Sequence, residues 1–458
     1  MSSGVMSSVE ELLSRLGAHL VTNFHPVDLA SLHVSRALRK ACTGSEVYQI
    51  LVGRDLGEAA EEATYEEWVK WHRRYRSVNL VLGATGGRRV SPRVVGVFSR
   101  YLAWVDDNLP QLRPTLQLAG TTSPPTELGN VHSDIADLYC LCNGQVSRRA
   151  PHLAMFGGYS VYDQFPSMGL LSAPAAAQAT ANITEALQSS PYPTLLEGHL
   201  VIAFADSRDK LLAVDRATGR LFFLSQGNGM RLVPVKEGGA GIVEWLGAFV
   251  DRLERGVFRA MPLVPTEPDS KGINLFPRYL PNVIDPSVSR VVTRGVEVIA
   301  STVHMIQNTQ HGWTYSIRLR LLPPGHPEHS PAAERGFETC QLTTRVWKIC
   351  PNEAAAEAVQ RVEGEGVIGF FPILCEEGWR CDRSSDPHAQ YPRGGPRDSR
   401  LIPGDFEYQS CSGGAAPGAR GWFEGVLRFV QGSKESPTGE EFEVAVGRFA
   451  LCPPEFYF

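Results

Sequence analysis

Between Trp313 and Leu321 every second residue is apolar: Trp313, Tyr315, Ile317, Leu319 and Leu321 alternate with Thr314, Ser316, Arg318 and Arg320. Successive side chains of a strand point to opposite faces, so this pattern predicts a half-buried antiparallel strand. Similar runs lie near 295–304, 339–350, 366–374, 405–411, 421–430 and 441–451, which makes seven in all. Seven short strands joined by turns predict a β-sandwich over 287–458. The stretch 376–404 is rich in Arg, Asp, Ser, Pro and Gly and reads as a flexible loop inserted between two strands.

Upstream the periodicity changes. Leu12, Leu13, Leu16 and Leu20 recur at helical spacing, Pro26 breaks that helix, and Asp28 caps a second one carrying Leu29, Leu32, Leu38 and Ala41. Ser45 caps a third with Val47, Tyr48, Leu51 and Val52, so residues 10–57 read as a small helical unit. A connector at 58–112 follows, with helical stretches around Trp68–Tyr75 and Val94–Val105. From 113 to 262 the reading is α+β. A helix opens at Thr126-Glu127 with Ile135, Leu138 and Tyr139 on its apolar face and ends at Asn143-Gly144. Strands follow at 200–205, 211–215 and 221–224, and a closing helix carries Ile242, Trp245, Leu246, Phe249, Val250 and Leu253. Residues 263–286 hold five prolines and are taken as a linker.

Charge and composition exclude several classes of function. A net charge of −5 leaves no basic footprint for nucleic acid or an anionic membrane. No stretch reaches the roughly 20 apolar residues of a membrane helix, and the N-terminus lacks the order of a signal peptide. With nine irregularly spaced cysteines read as reduced thiols, the expected location is cytoplasmic, nuclear or both. No nucleophile elbow, P-loop or helical His-Glu-x-x-His is present, so neither catalytic residues, nor a metal, nor a cofactor is expected. His326-Pro327-Glu328-His329 lies in a Pro-rich loop without the helix that would align paired histidines. Gly364, Gly366 and Gly369 have the outward spacing of a dinucleotide fingerprint, but a strand-like run follows where that motif needs a helix. The triplet reads as a hairpin or bulge, with an anion nest as the alternative. Trp313, Trp347, Trp422 and Phe423 read as core, or in part as a recognition surface.

Three blocks carry a resemblance to known families. Phe24-His25-Pro26-Val27-Asp28-Leu29, then Val34-Ser35-Arg36, then Val47-Tyr48, resemble an F-box, with Leu12-Leu13 in place of Leu-Pro and Tyr48 in place of Trp. Tyr139 through Asn143-Gly144, with the helix around Trp245-Leu246, is similar to Smi1/Knr4-type domains. Gly295–Val298, Cys340–Trp347, Val362–Gly369, Phe406–Cys411 and Phe442–Val446 occur in the order of an ApaG domain, from which the 376–404 loop departs. The order of modules resembles the F-box-only-protein-3-like family with its plant and algal members.

The resemblance implies a multidomain α+β chain: a helical F-box, an α+β Smi1/Knr4-like middle domain and an all-β, fibronectin-III-like ApaG sandwich. It implies a non-catalytic adaptor of an SCF (Skp1–cullin–F-box) ubiquitin ligase. Skp1, and through it a cullin–RING ligase, would dock on Leu12, Leu13, Leu16, Leu20, Pro26, Leu29, Val34, Leu38 and Tyr48, leaving the other two domains for a protein substrate or regulator. Two alternatives stay open: a nucleotide- or pyrophosphate-binding ApaG-type protein, and a scaffold whose F-box has degenerated.

Overall fold

The structure is a computed structural model that describes residues 90–458 except 119–122, 147–149, 162–165, 206, 208, 226–228, 266, 308–311, 355–358, 383–399 and 413–419. The F-box-like unit at 10–57 and every residue assigned there to Skp1 docking lie outside the described residues.

The middle unit starts with helix α1 (Pro92–Asn108), which Pro110 helps to end. A single 3-10 turn at Thr126–Leu128 and then α2 (Ser133–Leu141) replace the continuous helix expected from Thr126. Gly129, at φ +63, breaks the run, and the His132 side chain caps α2. Asn143 follows α2, and its Oδ1 accepts from the Ala173 N–H at 2.9 Å, which aims the chain toward β1 (Met168–Leu170) and α3 (Ala173–Gln188). Then β2 (His199–Ala205), β3 (Leu211–Asp215), β4 (Leu221–Ser225) and β5 (Arg231–Pro234) complete a five-stranded antiparallel sheet in the order β1-β2-β3-β4-β5. Helix α4 (Ile242–Glu254) buries Ile242, Trp245, Leu246, Phe249, Val250 and Leu253, the stripe read from the sequence. Each such side chain contributes roughly 1.5–3 kcal/mol relative to exposure.

Two stretches read as a connector and a linker belong to this unit. Helix α1 is held on α4 by Trp104 Nε1, which donates to Leu253 O at 3.1 Å, and by an Arg100–Asp251 ion pair at 2.6 Å. In the proline-rich stretch, β6 (Arg259–Pro262) and β7 (Lys271–Asn274) form an antiparallel hairpin. Pro262 fits there because it sits at a strand end, where a missing N–H does least damage.

The C-terminal unit has more strands than the sequence pattern predicts. A four-stranded sheet contains β8 (Val288–Thr293), β9 (Val296–His304) and β10 (Trp313–Leu321). After the short α5 (Ala332–Arg335), a seven-stranded sheet takes β11 (Cys340–Cys350), β12 (Gln360–Glu365), β13 (Phe371–Cys375), β14 (Gly378–Asp382) and β15 (Ile402–Pro403). The chain then returns to the first sheet as β16 (Phe406–Ser412) and ends in the second with β17 (Gly421–Gly432) and β18 (Pro437–Leu451). The start of the expected 376–404 loop is thus a β13–β14 hairpin, anchored by buried Trp379 against Phe406 at 4.9 Å. Inner faces of both sheets share one core, in which Tyr315 of β10 meets Phe423 of β17 at 4.9 Å.

Candidate functional site

The alternation on β10 places Thr314, Ser316 and Arg318 on the outer face of the four-stranded sheet, yet all three are buried. The middle unit covers them. Ser160 donates its hydroxyl to Gln409 Oε1, and Gln307 Nε2 donates to the Tyr159 hydroxyl at 2.9 Å. Arg278, just past the β6–β7 hairpin, lies 3.7 Å from Glu407 on β16, and Arg318 lies 3.2 Å from the same carboxylate. Burial alone would raise the Glu407 carboxyl, but Arg318, Arg278 and a Ser316 hydroxyl at 2.6 Å hold it below its usual range. Arg278 falls to about 10 through burial, then through the like charge of Arg318. A group of two cations and one anion, with Arg318 buried and Arg278 and Glu407 half-buried, therefore joins the units.

The segment Cys452–Phe458 crosses back from β18 to the middle unit. The N–H of Tyr457 donates to Val235 O at 2.8 Å, and Trp245 Nε1 donates to Tyr457 O at 2.8 Å. Phe458 inserts between Trp245, Phe249 and Phe258, with ring centres 5.7, 5.5 and 5.6 Å away. Lys210 is fully buried, donates to the Phe458 backbone oxygen, and faces the rings of Tyr159 and Phe223. Burial lowers its ammonium to about 8. His304, at the end of β9, stands against Trp313 at 4.5 Å and Tyr457 at 5.3 Å. Burial, and then the nearby Lys210 charge, push its imidazole down to about 4. Beside this segment opens a cleft of about 610 Å³, bordered by Arg252, Pro277, Ile284, Trp313 and Pro453. The sequence reading missed this seam. Its one available signal was the aromatic cluster Phe456-Tyr457-Phe458 beyond the last strand.

The glycine triplet takes a strand–turn–strand form. β12 and β13 run along one edge of β11, and the chain turns tightly between them at Gly366–Phe370. Val367 and Phe370 exchange backbone hydrogen bonds at 3.0 and 2.8 Å around Ile368 (φ 42) and Gly369 (φ 82). Positive φ at both central residues marks a type I′ turn. Ile368 is a β-branched residue in a region that disfavours it. The N–H groups of Gly366, Val367 and Phe370 already serve backbone carbonyls, and Arg345 Nη1 donates to the carbonyls of Glu365 and Gly366 at 2.9 and 2.6 Å. Among the described residues the turn runs on into β13 and not into a helix, whose N-terminus a dinucleotide cradle would need.

Elsewhere, His329 pairs with Glu376 at 2.9 Å, while His326 Nδ1 accepts from the Glu328 N–H at 3.2 Å, so the two histidines do not converge. Among the described residues no group of three metal-ligating side chains occurs, and no helix is long and apolar enough to cross a membrane. Trp313, Trp347 and Phe423 are core, whereas Trp422 is half-buried with the Arg448 guanidinium 3.9 Å from its ring.

Comparison with known proteins follows the same division. Over 93% of this chain and 94% of the other, it is 26% identical to F-box protein SKIP16 of Arabidopsis thaliana. Protein ApaG of Rhodopseudomonas palustris (strain TIE-1) is 28% identical over 36% of this chain and 94% of its own length. An X-ray structure from the Northeast Structural Genomics Consortium is similar at 18% identity over 36% of this chain and 91% of that one, with a TM-score of 0.23. Residues 303–379, from the end of β9 to the start of β14, match the ApaG domain (DUF525). The C-terminal sandwich of this chain therefore carries an ApaG domain.

Proposed function

We propose that this chain is a non-catalytic substrate-recognition adaptor of an SCF ubiquitin ligase, acting in the cytoplasm or nucleus. The observation that carries the reading is the similarity to an F-box protein along 93% of the chain, rather than over the ApaG domain alone. Residues 10–57 dock Skp1 through Leu12, Leu13, Leu16, Leu20, Pro26, Leu29, Val34, Leu38 and Tyr48. Their apolar stripe needs a partner, because so small a unit buries little surface by itself. The middle unit, of Smi1/Knr4 type in this reading, and the ApaG sandwich hold a substrate or regulator. The Arg278–Glu407–Arg318 group between the units supports this role, since a recognition surface built from two units requires a fixed angle between them. The chain then works by raising the effective concentration of substrate near the catalytic subunits.

Calorimetry of the full chain with purified Skp1, and of its Leu29→Asp variant, tests the proposal. Submicromolar binding lost on substitution is expected. Absence of binding by a folded full-length chain overturns it.

A further inference from the structure

The five-stranded sheet of the middle unit ends at β5, and the segment just beyond this strand pairs with the last residues of the same chain. Lys236 and Phe456 form an antiparallel bridge there, next to the Tyr457–Val235 hydrogen bond. The side chains of 455–458 are sorted as in an extended peptide added to a sheet edge. Glu455 lies 3.6 Å from Lys236 Nζ, and Phe456 sits 4.7 Å below the same ammonium, with the Arg252 guanidinium 5.8 Å away. Tyr457 contributes its backbone, with the N–H to Val235 and the oxygen to Trp245. Phe458 fills the socket of Trp245, Phe249 and Phe258, where Arg252 again covers a ring at 5.0 Å. Main-chain hydrogen bonds with alternate side chains in pockets are the logic of strand addition.

We propose that the groove between the end of β5 and α4 is a recognition site for an extended Glu-Phe-x-Phe segment of a partner protein, held in cis by residues 455–458. Three features select this chemistry. Lys236 reads the acidic residue. Its ammonium and the Arg252 guanidinium read the first aromatic ring through their charge. Among the described residues Arg252 has no carboxylate within 4 Å; its Nη1 donates to Ala248 O at 3.1 Å, and its side chain borders the cleft. The aromatic socket reads the second ring.

The surroundings supply an entrance. The cleft of about 610 Å³ runs alongside Pro453 and Pro454 and is bordered by Ile284, whose exposure is 101%. An apolar side chain so fully hydrated beside a groove suits a surface that a second chain covers. Held in cis, residues 455–458 act as a competitor at roughly millimolar effective concentration, so the groove favours partners that are already tethered. The site uses no residue of 10–57 and stands whether or not they dock Skp1.

The test uses an N-terminally labelled peptide, Pro-Pro-Glu-Phe-Tyr-Phe, and fluorescence anisotropy with the full-length chain. Weak binding to the wild-type chain is expected, and binding about tenfold or more tighter to Phe456→Ala/Phe458→Ala, whose cis segment no longer fills the pockets. Adding Lys236→Glu to that variant should weaken binding about fivefold, and a peptide carrying Lys in place of Glu should restore it. A double variant that keeps its native circular-dichroism spectrum but binds the peptide no better than a scrambled sequence overturns the proposal. If the double variant unfolds, Glu455→Lys decides at an exposed position. Peptide binding about threefold tighter than to the wild-type chain supports the groove, and unchanged binding rejects it.

Discussion

Trp245 and Tyr457 lie 212 residues apart in sequence and are joined by one hydrogen bond, indole Nε1 to backbone oxygen, at 2.8 Å. The indole serves the middle unit's core with its ring and the strap from the sandwich with its N–H. Trp245→Phe removes the N–H and also trims a fully buried indole, so it is expected to cost about 1 kcal/mol for the bond plus roughly 1–2 kcal/mol for the space left behind. Phe458→Ala, which empties the socket, should cost about 3 kcal/mol. Urea unfolding measures both. A Trp245→Phe variant as stable as wild type would show that the indole bond does not anchor the segment 452–458.

The pH dependence of stability should show His304. Its folded value of about 4 lies below the ordinary 6.5, so the native state keeps the ring neutral where the unfolded chain takes up a proton. The unfolded state therefore binds more protons in this window, and stability rises with pH across it. Above 6.5 the contribution is complete. On acidification from 6.5 toward 4 it is lost, with a limiting slope of roughly 1.4 kcal/mol per pH unit. Lys210 and the rings of Trp313 and Tyr457 face the imidazole, and Lys210 stays protonated throughout this range. Chemical denaturation at pH 7, 6 and 5 tests the slope. His304→Gln should flatten it, and an unchanged slope would assign the effect to other groups.

The sandwich was legible in the sequence where one face of a strand is uniformly apolar, as on β10. The same pattern misled at its polar positions. Thr314, Ser316 and Arg318 read as solvent-facing, yet all are buried because a second unit lies on that sheet. Periodicity records which face of a strand is apolar, and it carries no trace of a polar interface between units. The β13–β14 hairpin escaped notice because Cys375-Glu376-Glu377-Gly378 is a charged turn next to a long polar stretch. Helix α3 escaped because its alanine-rich sequence shows little apolar contrast between faces, although Pro174 stands in the first turn, where helices accept it. The segment 452–458 was missed for a different reason: its aromatic cluster Phe456-Tyr457-Phe458 shows that something is buried there, but without periodicity it does not say against what.

The half-buried Glu407 carboxylate between the units should show strong coupling. Arg318→Met alone leaves the half-buried Glu407 with the Ser316 hydroxyl and, as its one cation within 4 Å among the described residues, Arg278 at 3.7 Å, and should cost about 2–4 kcal/mol. Glu407→Gln in the same background removes the stranded charge and keeps an acceptor for Ser316. The double variant should therefore recover a large part of that loss. A double-mutant cycle from chemical denaturation gives the coupling, and strictly additive losses would show that the two charges do not depend on each other.

Two glycines distinguish conformational cost from steric cost: Gly198, in the turn before β2, and Gly366, in the turn beside Arg345. Gly198 and Gly366 both have positive φ, +74 and +52. A Cβ on Gly198 meets no heavy atom within 4 Å, so Gly198→Ala should cost only the left-handed backbone penalty of about 1 kcal/mol. A Cβ on Gly366 would lie 2.5 Å from the backbone oxygen of Phe370 and 3.1 Å from the Phe371 ring. That oxygen already accepts from the Val367 N–H, so the turn cannot move aside without losing the bond that closes it. Gly366→Ala should therefore cost the same penalty plus about 1–3 kcal/mol of strain. Thermal unfolding of the two variants in parallel checks the difference. Phosphate binding at this turn is a separate question, best asked with Arg345→Gln, which leaves every glycine in place. Pyrophosphate titrated against wild type and Arg345→Gln, with equal response or none from both, would leave the turn a purely structural device.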